Sequence, residues 1–136
     1  MSHIYINLPI KDLEKSIAFY QALGFTQNMQ FSDEKAAAMQ YDDNLTIMLL
    51  THEFTKGFLP TTKEIADSHK TCGGLYALQF DSKEQVDTFF EKALMAGGKA
   101  TIPTYDYGFM YGRDFEDLDG YIREAFWMNA ESIPQE

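Results

Sequence analysis

Apolar and polar residues alternate along positions 4–10. Ile4, Ile6, Leu8 and Ile10 fall on one face, and Tyr5, Asn7 and Pro9 on the other. Period two over this run predicts a half-buried strand. Asp12 then stands as a helix N-cap, and Leu13, Ile17, Tyr20 and Leu23 recur at helical spacing up to Gly24. Residues 25–31, 36–41 and 45–50 read as three strands, parted by the polar clusters at 32–35 and 42–44. Residues 51–71 form a longer connection, where Thr61-Thr62-Lys63-Glu64 has the form of a capping box and predicts a short helix. The first rhythm then returns. Residues 75–80 are strand-like. Ser82-Lys83-Glu84-Gln85 is another capping box, and Val86, Phe89, Phe90, Ala93 and Leu94 make one helical stripe that Gly97-Gly98 ends. Residues 99–102, 108–113 and 121–128 complete a second β-α-β-β-β series.

A shift of about 70 residues superposes the two series: Tyr5 lands on Leu75, Leu8 on Leu78, Ile10 on Phe80, Glu14 on Glu84, and Phe19-Tyr20 on Phe89-Phe90. Two such units are too few for a solenoid. The pattern predicts an α+β chain of one domain, with modules at about 3–50 and 72–128, a linker at about 51–71 and a tail at 129–136. Two curved sheets facing each other around a cup would accommodate it.

Composition narrows the partners. The 136 residues suit one domain, and 45% apolar with 15% aromatic residues excludes a disordered chain. With 11 Lys+Arg against 21 Asp+Glu, the net charge of −10 argues against nucleic acid and favours a cationic ligand. No apolar run reaches the roughly 18 residues of a membrane span. The start lacks a basic region followed by an apolar one, so no signal peptide is expected. The single cysteine, Cys72, excludes an internal disulfide and fits a reducing, cytoplasmic setting.

Specific residues carry a family resemblance. Asn7-Leu8-Pro9-Ile10-Lys11-Asp12-Leu13, then Ser16-Ile17-Ala18-Phe19-Tyr20 and Leu23-Gly24-Phe25, resemble the opening of vicinal oxygen chelate proteins. That superfamily includes glyoxalase I, bleomycin-resistance proteins and extradiol dioxygenases. Tyr111-Gly112-Arg113, Phe115 and Asp117-Leu118-Asp119-Gly120-Tyr121 resemble its closing strands, with Leu118 where the family usually has Pro. The start, Met48–Thr51 and the run from Gly108 to Arg113 are similar to a subgroup labelled predicted lactoylglutathione lyases. The resemblance implies the paired βαβββ fold of that superfamily.

It also implies four inward positions where enzymatic members hold a divalent metal with His, Gln or Glu. Here these are Tyr5, Met48 or Leu49, Leu75 and Glu124. Only Glu124 is a good ligand: leucine has no donor, and thioether and neutral phenol suit hard cations poorly. No metal or other cofactor is therefore expected. His3 and His52 are the nearest residues that could help rebuild a site, His3 reading more simply as a solvent-facing terminus. Glu124 alternates with Ile122 and Phe126, which places it on an apolar face away from a polar one bearing Arg123. A carboxylate there needs a donor, with Tyr5, Asn7 and Arg113 as candidates, or a raised pKa. Glu124 is the candidate catalytic residue and polar anchor. Tyr107, Met110 and Tyr111 belong to an aromatic-rich segment that suits a ligand pocket, and Phe54 and Phe58 lie in a connection long enough to form a lid. The expected binding residues are thus Tyr5, Asn7, Met48, Leu49, Leu75, Tyr107, Met110, Tyr111, Arg113 and Glu124. Three functions compete: a metal-free protein binding a small, cationic organic ligand, a lyase or dioxygenase with a rearranged metal site, and an interaction module. A homodimer is expected from the resemblance and from exposed sheet edges.

Overall fold

In the computed structural model, which describes residues 2–132, the opening alternation forms β1 (Ile4–Ile10). Asp12 caps α1 (Leu13–Ala22), its carboxylate accepting from the Lys15 N–H and so satisfying one donor that the helix start leaves unpaired. β2 (Thr26–Asn28), β3 (Ala36–Gln40) and β4 (Leu45–Thr51) follow. β2 stops short of the expected 25–31 because the Asn28 side chain accepts from the Gln30 N–H and turns Met29–Phe31 into a 3-10 helix.

These strands form a sheet in the order β1-β4-β3-β2, with β1 parallel to β4 and the rest antiparallel. Register sorts the two faces. Leu8, Ile10, Ile47, Leu49, Ala37 and Met39 share one face and are sealed from solvent, α1 lying across β3 and β4 with Phe19 and Tyr20 buried. Tyr5, Asn7, Pro9, Thr46, Met48 and Leu50 share the other.

The short helix of the connection lies elsewhere than expected. α2 (His52–Lys56) leaves β4 directly, with the Thr51 hydroxyl accepting from the Phe54 N–H at 3.2 Å. At 61–64 there is no helix, only a turn in which the Lys63 N–H donates to the Pro60 carbonyl. Residues 60–64 are exposed, and a short helix without an apolar face to bury is not stable.

The second half repeats the plan with β5 (Leu75–Phe80), α3 (Lys83–Met95), β6 (Lys99–Ala100), β7 (Tyr105–Asp106), β8 (Met110–Glu116) and β9 (Ile122–Met128). Its sheet runs β5-β9-β8-β6, with β7 also beside β8 and β5 parallel to β9. Ser82 caps α3 as its sequence signature requires. Phe89 of α3 packs on Phe80 and Phe115, with ring centroids 4.9 and 5.7 Å apart, fixing which face α3 covers. Against expectation, β8 begins and ends later than 108–113, β6 is two residues long, and β7 is additional.

The chain divides into two compact units, Met1–Asp67 and Ser68–Glu136. The division falls inside the expected linker, so α2 belongs to the first unit. Of the expected tail, Ala130–Ser132 forms a 3-10 helix and 133–136 lie outside the described residues. Among the described residues no helix is long and apolar enough to cross a membrane.

Candidate functional site

In the first unit, the face opposite α1 is partly roofed. Residues 52–59 fold over its end, so that Phe54, Thr55, Phe58 and Leu59 stand over Asn7, Pro9, Met48 and Leu50 and enclose a cavity of about 600 Å³. Thr55 directs its hydroxyl to the Thr51 carbonyl at 2.8 Å, tying the roof to its own cap. Phe54 and Phe58 meet edge to face at 5.1 Å. Asn7 contributes the one side-chain amide of this lining. Volume and character suit a small organic molecule.

Register settles which of two neighbours belongs here. Met48 is the partner of Asn7 and lines the cavity, whereas Leu49 pairs with Leu8 on the α1 side and is fully buried. Leu49 is therefore a core residue and not a binding one. Further along the same face, Tyr5 is exposed, and His3 places Nε2 2.7 Å from the hydroxyl of buried Thr46, its ring tilted against that of Tyr5 with centroids 4.6 Å apart. His3 is exposed, as expected of its position, yet its ring is tied to Thr46.

In the second unit, the face opposite α3 carries Leu75, Ile122, Glu124, Phe126, Gly112, Asp114 and Tyr105. Glu124 and Asp114 are direct cross-strand partners. Asp114, 5% exposed, accepts a 3.0 Å hydrogen bond from the Tyr105 hydroxyl. The Tyr105 ring lies on the backbone of Gly112 so closely that any side chain there would overlap it. Burial pushes the Glu124 carboxyl above its usual range, and the neighbouring Asp114 charge pushes it further. Asp114 is raised by burial and pulled partly back by the Tyr105 bond. Burial and then Asp114 raise the Tyr105 phenol.

The sequence reading missed Asp114. It lies one residue past the strand expected at 108–113, although the alternation Gly112, Asp114, Glu116 places it beside Glu124. The pair has a consequence for stability. Both carboxyls hold their proton more tightly in the folded chain than in the unfolded one. Stability therefore falls as pH rises from the ordinary values of 3.8 and 4.5 through the raised native ones. Asp114→Asn keeps an acceptor for Tyr105 and removes one charge. We expect it to raise the melting temperature at neutral pH by a few degrees and to flatten this acid-side dependence. Thermal melts across the acid range check it, and an unaltered pH profile would reject the coupling.

Three expected residues sit elsewhere. Tyr111 and Arg113 lie on the α3 side of β8, because they alternate with Gly112 and Asp114. The Tyr111 hydroxyl and Arg113 Nη1 both donate to Asp87, at 2.6 and 3.1 Å, and the Arg113 guanidinium lies 3.9 Å from the Phe90 ring. Arg113 therefore does not serve Glu124. Tyr107 is exposed at the β7–β8 turn and stacks on Phe109, while Met110, partner of Met128, begins the Glu124 face. Arg123 is not on a polar face either. It is 5% exposed, with Nη2 3.9 Å from buried Asp117 and its guanidinium 4.9 Å from the Tyr76 ring.

The four positions that the sequence resemblance marks for a metal offer a phenol at Tyr5, a thioether at Met48, a hydrocarbon at Leu75 and a carboxylate at Glu124. Divalent cations of the family's kind require several O or N donors. Among the described residues no group of three or more His, Cys, Asp or Glu could hold a metal ion. This donor set does not fit one.

Known proteins place the fold. An S. aureus structure, hypothetical protein SA1046, shares 26% identity over 93% of this chain and 94% of that one, with a TM-score of 0.77. A glyoxalase/bleomycin resistance protein/dioxygenase family enzyme of Burkholderia phytofirmans PsJN aligns with a TM-score of 0.79 at 20% identity, over 94% and 99%. The fosfomycin resistance protein FosX of Listeria monocytogenes aligns at 0.67 with 24% identity, over 96% and 94%. No curated protein matches the sequence. The model of the Glyoxalase/Bleomycin resistance protein/Dioxygenase superfamily matches residues 2–124, and the chain belongs to that superfamily.

Proposed function

We propose that this protein binds a small, largely apolar organic ligand on the sheet face of its first unit, without a resident metal ion. The observation that carries this reading is the cavity of about 600 Å³ between Asn7, Met48 and Leu50 below and Phe54 and Phe58 above. Its walls are apolar, and Asn7 gives one orienting group, the usual composition of a small-molecule site. The charge of −10 favours a ligand that includes a positive charge. Glu124 is the candidate polar anchor of the second unit. Lyase and dioxygenase chemistry in this superfamily runs through a metal, and the donor set supports binding ahead of either.

The test uses Nile red, a neutral apolar dye, titrated by fluorescence against the whole chain. Asn7→Trp fills the cavity from an exposed strand position, so it leaves the core untouched. Dye affinity should fall at least about tenfold, the equivalent of about 1.4 kcal/mol, with the circular dichroism spectrum unchanged. Equal affinity in a folded variant would overturn the reading.

A further inference from the structure

We infer that the ligand is an amphipathic zwitterion, whose apolar body fills the larger cavity and whose ammonium and carboxylate lie in a second cavity between Glu53 and Lys35. This rests on the binding reading above and adds the chemical class of the ligand. The second cavity, of about 370 Å³, is lined by Lys35, Thr51, Glu53, Phe54, Gly57 and Phe58. Phe54 and Phe58 therefore form a wall common to both cavities. One side of that wall is almost wholly apolar. The other presents one cation and one anion.

Backbone contacts place both residues, whose side chains are exposed. The Lys35 N–H donates to the Asp33 carboxylate at 2.7 Å, and its carbonyl accepts from the Thr51 N–H at 2.9 Å, which fixes Lys35 beside the end of β4. Glu53 stands in the first turn of α2, which Thr51 caps. Lys35 and Glu53 face one recess, yet among the described residues no ion pair joins them. An ammonium and a carboxylate on one ligand would match this pair, and charge-assisted hydrogen bonds are the stronger kind. Phe58 is exposed, which leaves a way for a chain around it, and Phe54 follows directly behind the cap. A linear α-amino acid of about eight carbons has both parts.

Competition against Nile red tests this with 2-aminooctanoate, octanoate and octylamine. We expect 2-aminooctanoate to displace the dye at concentrations at least about tenfold lower than either half-charged analogue. Lys35→Met should abolish its advantage over octylamine, and Glu53→Gln its advantage over octanoate, with dye affinity itself unchanged. Equal displacement by all three, while Asn7→Trp still expels the dye, would leave the binding reading standing and overturn the zwitterion. If the dye ignores Asn7→Trp, the binding reading fails. Direct calorimetry with 2-aminooctanoate then decides the head group. Absent heat, or heat indifferent to Lys35→Met, overturns it.

Discussion

Gly120→Ala should destabilise the protein by about 3–5 kcal/mol, the sum of a left-handed backbone and an impossible neighbour. Gly120 has φ of +89°, and a β-carbon there would lie 2.6 Å from the Ser68 carbonyl carbon and 2.7 Å from the His69 nitrogen. Those are backbone atoms and cannot rotate away. Gly24→Ala is the control, since its φ of +102° is similar but nothing lies within 4 Å of the added carbon. It should cost only the conformational part, about 1 kcal/mol. Urea unfolding of both variants reads the difference in midpoint. Equal losses would show that segment 68–69 yields, and would reject the packing account of the β8–β9 turn.

Asp117→Ala should cost a similar amount, about 3–5 kcal/mol, because it unmakes three things together. The Asp117 side chain accepts from the N–H groups of Asp119 at 2.9 Å and Tyr121 at 3.0 Å, and it faces Arg123 at 3.9 Å. Asp117 and Arg123 are 4% and 5% exposed, so the Ala variant takes a carboxylate away from a buried guanidinium. Asp117→Asn retains an acceptor for the turn and loses only the charge, so it should fall between wild type and Ala. Denaturant midpoints at neutral pH measure all three. A loss below about 1 kcal/mol in the Ala variant would mean that the pair is not structural.

The same residues show what a sequence reveals. The β-α-β-β-β repeat was legible because strand alternation, caps and turn residues all agree, as at Asp12 and Ser82. The face of Glu124 was legible for the same reason, by its step of two from Ile122 and Phe126. Arg123 was misplaced because residue type alone assigns a guanidinium to water. Here Asp117 and the Tyr76 ring, distant in sequence or hidden in a turn, make burial tolerable. The choice between Met48 and Leu49 was hidden by a run, Ile47 to Leu50, that is apolar throughout. That uniformity reflects a strand covered on both sides, by α1 on one and by the 52–59 roof on the other. The lid-like connection was legible, but its helix was hidden because the explicit capping-box pattern lies at 61–64, while Thr51, the first residue of the connection, caps α2. The recess between Lys35 and Glu53 joins residues from separate loops, and no local pattern announces it.

Strand order has a consequence for how the larger cavity comes into being. β2, β3 and β4 pair across short turns, but β1 must find β4 at a separation of about 40 residues, Ile4 beside Leu45. Closing a long loop costs more chain entropy than closing a short one, and distant contacts form late. The antiparallel meander is thus the seed of the sheet, and β1 is the strand added afterwards. β1 carries Asn7 and Pro9, one wall of the larger cavity. Nascent or partly opened chains lack that wall, so a ligand held there is gripped only by molecules whose last pairing is complete, and each bound molecule pins that latest step shut.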